Sequence, residues 1–453
     1  MKTINPASGE LIREYPNTSF TEFEQIVSDA NAAQKEWAKR TFENRKPLLL
    51  KIASLLREQK EELAQLMALE MGKPLAQGIS EVEKCAWVCE YYAEHAEEFL
   101  RDKTVATEAS KSYVTFQPLG VVLSIMPWNF PFWQLFRFGA PALMAGNGVI
   151  LKHAEITTGC ALKIEELVHQ AGIPSNLFRT VLFENEDMRP VIQHAGIAAV
   201  TLTGSTRAGK IVASQAGEAL KKTVLELGGS DPYLIFSDAD ISKAAELCVT
   251  SRLLNSGQTC IAAKRFIVVE SVYDEFLEQF TELMSSKTIG NPFDEGVDIG
   301  PMARIDLRNE LHKQVQGSIK LGATPIIGCE KPESQGAFYP VSILTDVTKG
   351  MPAYEEELFG PVAAIIKVRD EEEAIQIAND TNFGLGAAVF TNDVKKGEEI
   401  ASRYLEAGCC FVNGFVKSDP RLPFGGIKQS GYGRELGLYG IREFVNAKTV
   451  WVG

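Results

Sequence analysis

The first hundred residues carry apolar positions at helical spacing. In the stretch 45–70 (RKPLLLKIASLLREQKEELAQLMALE), leucine, isoleucine and alanine recur three and four positions apart, which predicts amphipathic helix. Thr21 followed by Glu24 has the form of a capping box and predicts a helix start there. From about residue 119 the texture changes. Short apolar runs at 120–126 (GVVLSIM), 148–152 (GVILK), 179–183 (RTVLF) and 198–205 (AAVTLTGS) predict strands, with helices between them at about 131–145, 157–171 and 206–220. A second series opens near 223–229 (TVLELGG) and continues through 231–236, 265–270, 363–368 and 387–391. The Gly-rich PFGGIKQSGYGRE (423–435) and a β-like tail ending in TVWVG follow. Strand and helix in alternation predict an α/β fold with parallel sheets, which take ligands at the carboxyl ends of their strands. No internal repeat or low-complexity spacer interrupts the two series, so two closely apposed α/β domains of similar size are expected.

Composition narrows the function classes. The 453 residues are 45% hydrophobic and 23% charged, an ordinary globular balance. A net charge of −13 without a dense Lys/Arg run speaks against nucleic acid and anionic membranes as partners. Residues 1–16 are polar, and no apolar stretch reaches the roughly 18 residues of a membrane helix, so a cytoplasmic location is expected. The eight cysteines (Cys85, Cys89, Cys160, Cys248, Cys260, Cys329, Cys409 and Cys410) form no CxxC pair, and the five histidines are scattered. Neither a metal site nor a disulfide framework is expected.

Four segments carry candidate chemistry. In NSGQTCIA (255–262), Cys260 follows Gly257 and small polar residues. A turn of that kind exposes a thiol and aims backbone N–H groups at it, which suits a nucleophile; the alternative is a packed structural cysteine. In LELGGSDP (225–232), Glu226 lies between two leucines, either as a strand-end carboxylate or as one tuned by burial for general-base work. In MPWNFP (126–131), two prolines stiffen a strand-to-helix corner. Asn129 on that corner is either a turn residue or an amide placed to donate to an oxyanion. In LTGSTRAGK (202–210), Gly204 and Ser205 stand between strand and helix, where backbone N–H groups can meet a phosphate; a plain tight turn explains them equally well.

Taken together and in order, these segments resemble the aldehyde dehydrogenase superfamily. The resemblance rests on PWNFP (127–131), LKHAE (151–155), TGSTRAG (203–209), LELGG (225–229), NSGQTC (255–260), EEELFGP (355–361), VNG (412–414) and PFGGIKQSGYGRE (423–435), which span nearly the whole chain. It implies a Rossmann-like cofactor domain (1–99 and 119–225), an α/β catalytic domain (226–435) and a β-hairpin oligomerisation arm (100–118 with 436–453). The tail is expected to pair with the arm across a subunit interface of a homo-oligomeric dimer or tetramer. It also implies that Cys260 attacks an aldehyde, that Asn129 and the Cys260 N–H hold the oxyanion, and that Glu226 activates water against the thioester. Lys152 and Glu155 are then expected at the adenosine ribose, Gly204 and Ser205 at the pyrophosphate, and Trp128, Glu357 and Phe359 around the nicotinamide. Glu155 beside a ribose hydroxyl favours NAD over NADP, while His153 departs from the proline of many relatives and leaves NADP possible.

The run PWNFPFWQLFR followed by LKHA, with the compact length, is similar to the shorter bacterial succinate semialdehyde dehydrogenases. Arg137, eight residues after Asn129, is then expected to bind the substrate's distal carboxylate, with Ser418 as a further contact. The second arginine of many such enzymes is absent: Leu254 stands at its position and Arg252 two residues earlier. A broad-specificity enzyme for aliphatic or aromatic aldehydes, a CoA-acylating enzyme and a non-catalytic binding or structural protein on the same fold are the alternatives. Glu226 speaks against CoA transfer, and the joint presence of Cys260, Glu226 and Asn129 against the non-catalytic protein.

Overall fold

The structure is a computed structural model that describes residues 1–333 and 335–453. Its N-terminal part is an antiparallel strand pair, Lys2–Ile4 with Leu11–Glu14, followed by four helices, Phe20–Ala38, Phe42–Glu58, Lys60–Met71 and Leu75–Phe99. The capping box is made by Ser19 and Glu22, two residues before the expected pair, because Thr21 already lies inside the helix. The periodic run 45–70 is two helices rather than one. Gln59, at φ −111° and ψ 12°, leaves the helical region and breaks it.

The first sheet has six strands in the order Gly431–Tyr432, Lys222–Glu226, Ala199–Thr203, Val121–Met126, Gly148–His153 and Phe178–Thr180. All neighbours are parallel except Gly431–Tyr432, which runs antiparallel to Lys222–Glu226. Two sequence expectations change here. The run at 223–229 closes the first series instead of opening the second, since Thr203 pairs with Glu226 in register. Residues 431–432, assigned to the catalytic domain, return to the first sheet. Both series have the same local texture, so pattern alone does not tell which sheet recruits a strand at their junction.

The second sheet has seven strands in the order Thr324–Ile327, Ser342–Thr345, Val362–Val368, Ala263–Val269, Asp231–Ile235, Gly386–Phe390 and Cys409–Val412. Only the first pair is antiparallel. Its central strands are buried along their whole length, as unbroken apolar runs require when both faces are covered by helices.

The arm is a three-stranded sheet of Val445–Val452, Lys111–Pro118 and Lys103–Thr104. The expected pairing of the tail across a subunit interface is corrected: Val445–Val452 lies antiparallel to Lys111–Pro118 of its own chain, from Val445 opposite Pro118 to Val452 opposite Lys111. The Phe444 carbonyl fixes that course by accepting from Leu119 N–H at 3.2 Å and Asn147 Nδ2 at 3.0 Å. The helix Gly437–Arg442 packs on Leu75–Phe99 and Trp133–Ala145, so the start of the tail belongs to the body. Among the described residues, no helix is long and apolar enough to cross a membrane.

Candidate active site

The turn that presents Cys260 is held under strain. After the helix Ile241–Leu253 the chain passes Asn255, Ser256 and Gly257 at φ of 57°, 55° and 74°. Two of these are non-glycine residues in the left-handed region, which costs energy and persists only where neighbours enforce it. Here Asn255 Nδ2 donates to the Asn129 carbonyl at 2.7 Å and Ser256 Oγ to the Gly300 carbonyl at 3.2 Å. Gly257 has no substitute, because a Cβ there would run into the Gly360 carbonyl. Lys264 closes the turn by donating to the carbonyls of Thr259 (3.0 Å) and Cys260 (2.7 Å). Arg252 is wholly buried and donates to the carbonyls of Ala263 and Gly257, so it supports this turn and reaches no substrate.

The half-buried Cys260 lines two clefts. One is an open cleft of about 720 Å³ lined by Trp128, Asn129, Gly204, Ser205, Glu357 and Phe359. The second encloses about 830 Å³, and its walls include Phe130, Trp133, Arg137, Phe415, Ser418 and Phe424. Gln134 and Cys260 are common to both. Desolvation pushes the Cys260 thiol up to about 12, against the pull of Arg137 and Lys264.

Asn129 sits on the corner between the strand Val121–Met126 and the helix Trp133–Ala145. Its Nδ2 donates one hydrogen to the Gln258 carbonyl at 3.0 Å, which leaves the other for a ligand beside Cys260. The corner is braced by Lys73, whose ammonium donates to the Asn129 carbonyl at 2.9 Å and is ion-paired with buried Glu81. Glu81 in turn accepts the N–H groups of Phe132 and Trp133, both at 3.0 Å.

Glu226 ends its strand buried and lines neither cleft; both carboxylate oxygens lack a hydrogen-bond partner among the described residues. Desolvation drives its carboxyl well above the usual range, and the nearby Glu435 adds to this, while Arg137 and Arg434 oppose it. Glu435 is likewise raised by burial and pulled back by the Arg137 beside it. Arg137 is itself committed. Its Nε is ion-paired with Glu435, Nη2 donates to Thr203 Oγ1 at 3.3 Å, and the guanidinium lies 4.7 Å from the centre of the Phe424 ring. Arg137 and Ser418 share the second cleft, but Arg137 reaches it with its charge already matched.

A dinucleotide fits the first cleft. Gly204 and Ser205 precede the helix Thr206–Glu218, where Ser205 Oγ caps Ala208 N–H, and the positive end of that 13-residue helix suits a pyrophosphate. Trp128 and Phe359, which line this cleft with Cys260, form an edge-to-face pair at 5.7 Å and offer apolar surface to a flat ring. Glu357 is fixed by Lys264 at 3.3 Å and by Gly229 N–H at 3.2 Å. Lys152 and Glu155 stand off this cleft. Lys152 donates to Asn185 Oδ1 at 2.7 Å, and the exposed Glu155 lines a neighbouring hollow with Lys2 and Arg304. His153 ties the two regions together. Its Nδ1 accepts from Ala154 N–H, so its Nε2–H donates to the Pro131 carbonyl at 2.9 Å, and burial holds it neutral with a pKa near 4.

Several residues of the site carried no signal in the sequence. Lys73, Glu81 and Lys84 lie in or just before the long helix Leu75–Phe99, where they read as ordinary helix-surface charges. Glu435 is part of the Gly-rich segment, but nothing local marks it as the partner of Arg137.

The Aldehyde dehydrogenase family model matches residues 1–450. The chain is 47% identical to a probable succinate-semialdehyde dehydrogenase (NADP(+)) of Synechocystis sp. over 450 residues, 99% of each chain. It is 44% identical to a succinate semialdehyde dehydrogenase (NAD(P)+) of Escherichia coli, covering 99% of this chain and 97% of that one. In structure it is similar to the succinic semialdehyde dehydrogenase of Streptococcus pyogenes in complex with NADP+, with a TM-score of 0.97 and 37% identity over 100% of this chain and 99% of that one.

Proposed function

The chain belongs to the aldehyde dehydrogenase family, and from that premise we propose that it oxidises succinate semialdehyde to succinate with NAD(P) through a thioester on Cys260. The observation that carries the reading is the placement of Cys260 where a cofactor-shaped cleft meets a second cleft that has cations and a hydroxyl on its wall. The names of the relatives support the four-carbon substrate, and NADP in those names supports use of either nicotinamide.

Each residue then has a defined task. The Cys260 thiolate bonds to the aldehyde carbon, and the oxygen, now negative, receives hydrogen bonds from Asn129 Nδ2 and the Cys260 N–H. Gly204, Ser205, Trp128, Glu357 and Phe359 hold the dinucleotide. A bound nicotinamide would supply the hydride acceptor for oxidation of the thiohemiacetal on Cys260. Glu226, once ionised, takes the proton from the water that hydrolyses it. An adenosine ribose reaching from the first cleft into the neighbouring hollow would meet the Glu155 carboxylate, which disfavours a 2′-phosphate and supports NAD as the preferred form. A cytoplasmic homo-oligomer completes the reading.

A second reading, broad oxidation of aliphatic or aromatic aldehydes, is favoured by Phe130, Trp133, Phe415 and Phe424 along the second cleft. Reduced-nicotinamide absorbance with succinate semialdehyde, glutarate semialdehyde, propanal, hexanal and benzaldehyde, each with NAD and with NADP, separates the two. Preference for the ω-carboxylated aldehydes supports the first. Equal or faster turnover of hexanal or benzaldehyde removes it and leaves the second.

A further inference from the structure

We propose that Lys84, paired with Ser418 on the wall of the second cleft, is the cation that binds the distal carboxylate of the substrate; this rests on the ω-carboxylated aldehyde reading above. The argument begins with which positive charges of the cleft have an anion already. Arg137 is ion-paired with Glu435. Lys417 lies exposed at the rim. Lys84 projects from the helix Leu75–Phe99 into the cleft, and among the described residues no carboxylate lies within ion-pairing distance of it. The two acids nearest in the fold have other partners: Glu81 is taken by Lys73, and Asp419 by Arg421 at 2.7 Å.

The surroundings fix the ammonium without neutralising it. Its Nζ lies 4.3 Å from the centre of the Trp133 ring and donates to Ser418 Oγ at 2.8 Å, across 334 positions of sequence. Trp133 orients the cation by its π face. Ser418 accepts from Lys84, so its own hydrogen is left to donate, and among the described residues it finds no acceptor. Two ammonium hydrogens and one hydroxyl hydrogen therefore stay free on adjacent groups of the cleft wall, a set that matches a carboxylate's two oxygens. Desolvation and the nearby Arg137 bring the ammonium down to about 8, which marks it as a cation short of a counter-ion. The negative charge of a bound carboxylate offsets both influences. Cys260 on the same cleft puts the aldehyde end of a short chain at the nucleophile while its acid end reaches Lys84.

The test compares kcat/KM for succinate semialdehyde with that for butanal, which has the same chain length and no charge, in the full-length protein with saturating cofactor. Lys84→Met is expected to lower the ratio of the two at least about ten-fold, mainly through KM for succinate semialdehyde, and Lys84→Arg to restore most of it. Ser418→Ala is expected to lower the same ratio, which keeps the test decisive if Lys84→Met does not fold. A wild-type preference for succinate semialdehyde that survives Lys84→Met, or Ser418→Ala in its place, within two-fold overturns the role of Lys84 alone. A wild-type enzyme that does not prefer succinate semialdehyde over butanal overturns the substrate reading and the role of Lys84 with it.

Discussion

Arg137→Met is the perturbation that separates a structural charge from a substrate clamp. Arg137 and Glu435 are 2% and 3% exposed, and they face each other as an ion pair. Removing one partner of such a pair leaves an uncompensated buried charge and costs about 3–5 kcal/mol. Glu226 stands next to Glu435, so the loss has a second effect. Arg137 is the first of the groups that hold the Glu226 carboxyl down, and without it burial and Glu435 push that carboxyl higher. The sign follows: Glu226 acts as a base only when ionised, so the rising limb of the kcat–pH profile moves to higher pH in the variant. Urea unfolding followed by circular dichroism measures the first effect, and the kcat profile the second. Arg137→Met/Glu435→Leu is expected to recover most of the lost stability, because it replaces the pair with apolar groups instead of orphaning one member. An Arg137→Met protein whose unfolding curve superimposes on wild type, with a raised KM for succinate semialdehyde alone, would refute this account and make Arg137 the clamp.

Four further outcomes follow from the site. Because burial holds the Cys260 thiol at about 12, the thiolate fraction rises about ten-fold per pH unit below that value, and iodoacetamide labelling of Cys260 without cofactor should rise in proportion between about pH 7 and 9; a flat profile rules out a thiol held up by burial. Glu226→Gln should release one equivalent of reduced nicotinamide per site rapidly and then turn over about 100-fold or more slowly; steady turnover without a burst would assign the base elsewhere. Asn129→Ala should lower kcat about 100-fold with little change in cofactor binding, since its free amide hydrogen serves an oxyanion that exists only after attack; a loss confined to KM would contradict that. Glu155→Ser should raise the NADP-to-NAD ratio of kcat/KM about ten-fold, as one like charge is removed from a 2′-phosphate; an unchanged ratio would place the ribose away from Glu155.

The sequence by itself determined the α/β class, the bounds of most of the strands it named to within two residues, and the turn and corner settings of Cys260, Asn129, Gly204 and Ser205. These were legible because each depends on local chemistry: an unbroken apolar run for a buried strand, two prolines for a corner, a glycine where the turn turns left-handed. The run 45–70 was legible as helix, but the break at Gln59 was not, since no proline or glycine marks it. Tertiary structure alone decided the rest. It gave Lys222–Glu226 to the first sheet, turned the tail onto its own chain, and set Glu435 against Arg137 and Ser418 against Lys84. The physical reason is the same in each case. Which strand edge, carboxylate or hydroxyl meets a given residue is fixed by close packing between segments from about twenty to more than three hundred positions apart, and neither partner carries a local mark of the other.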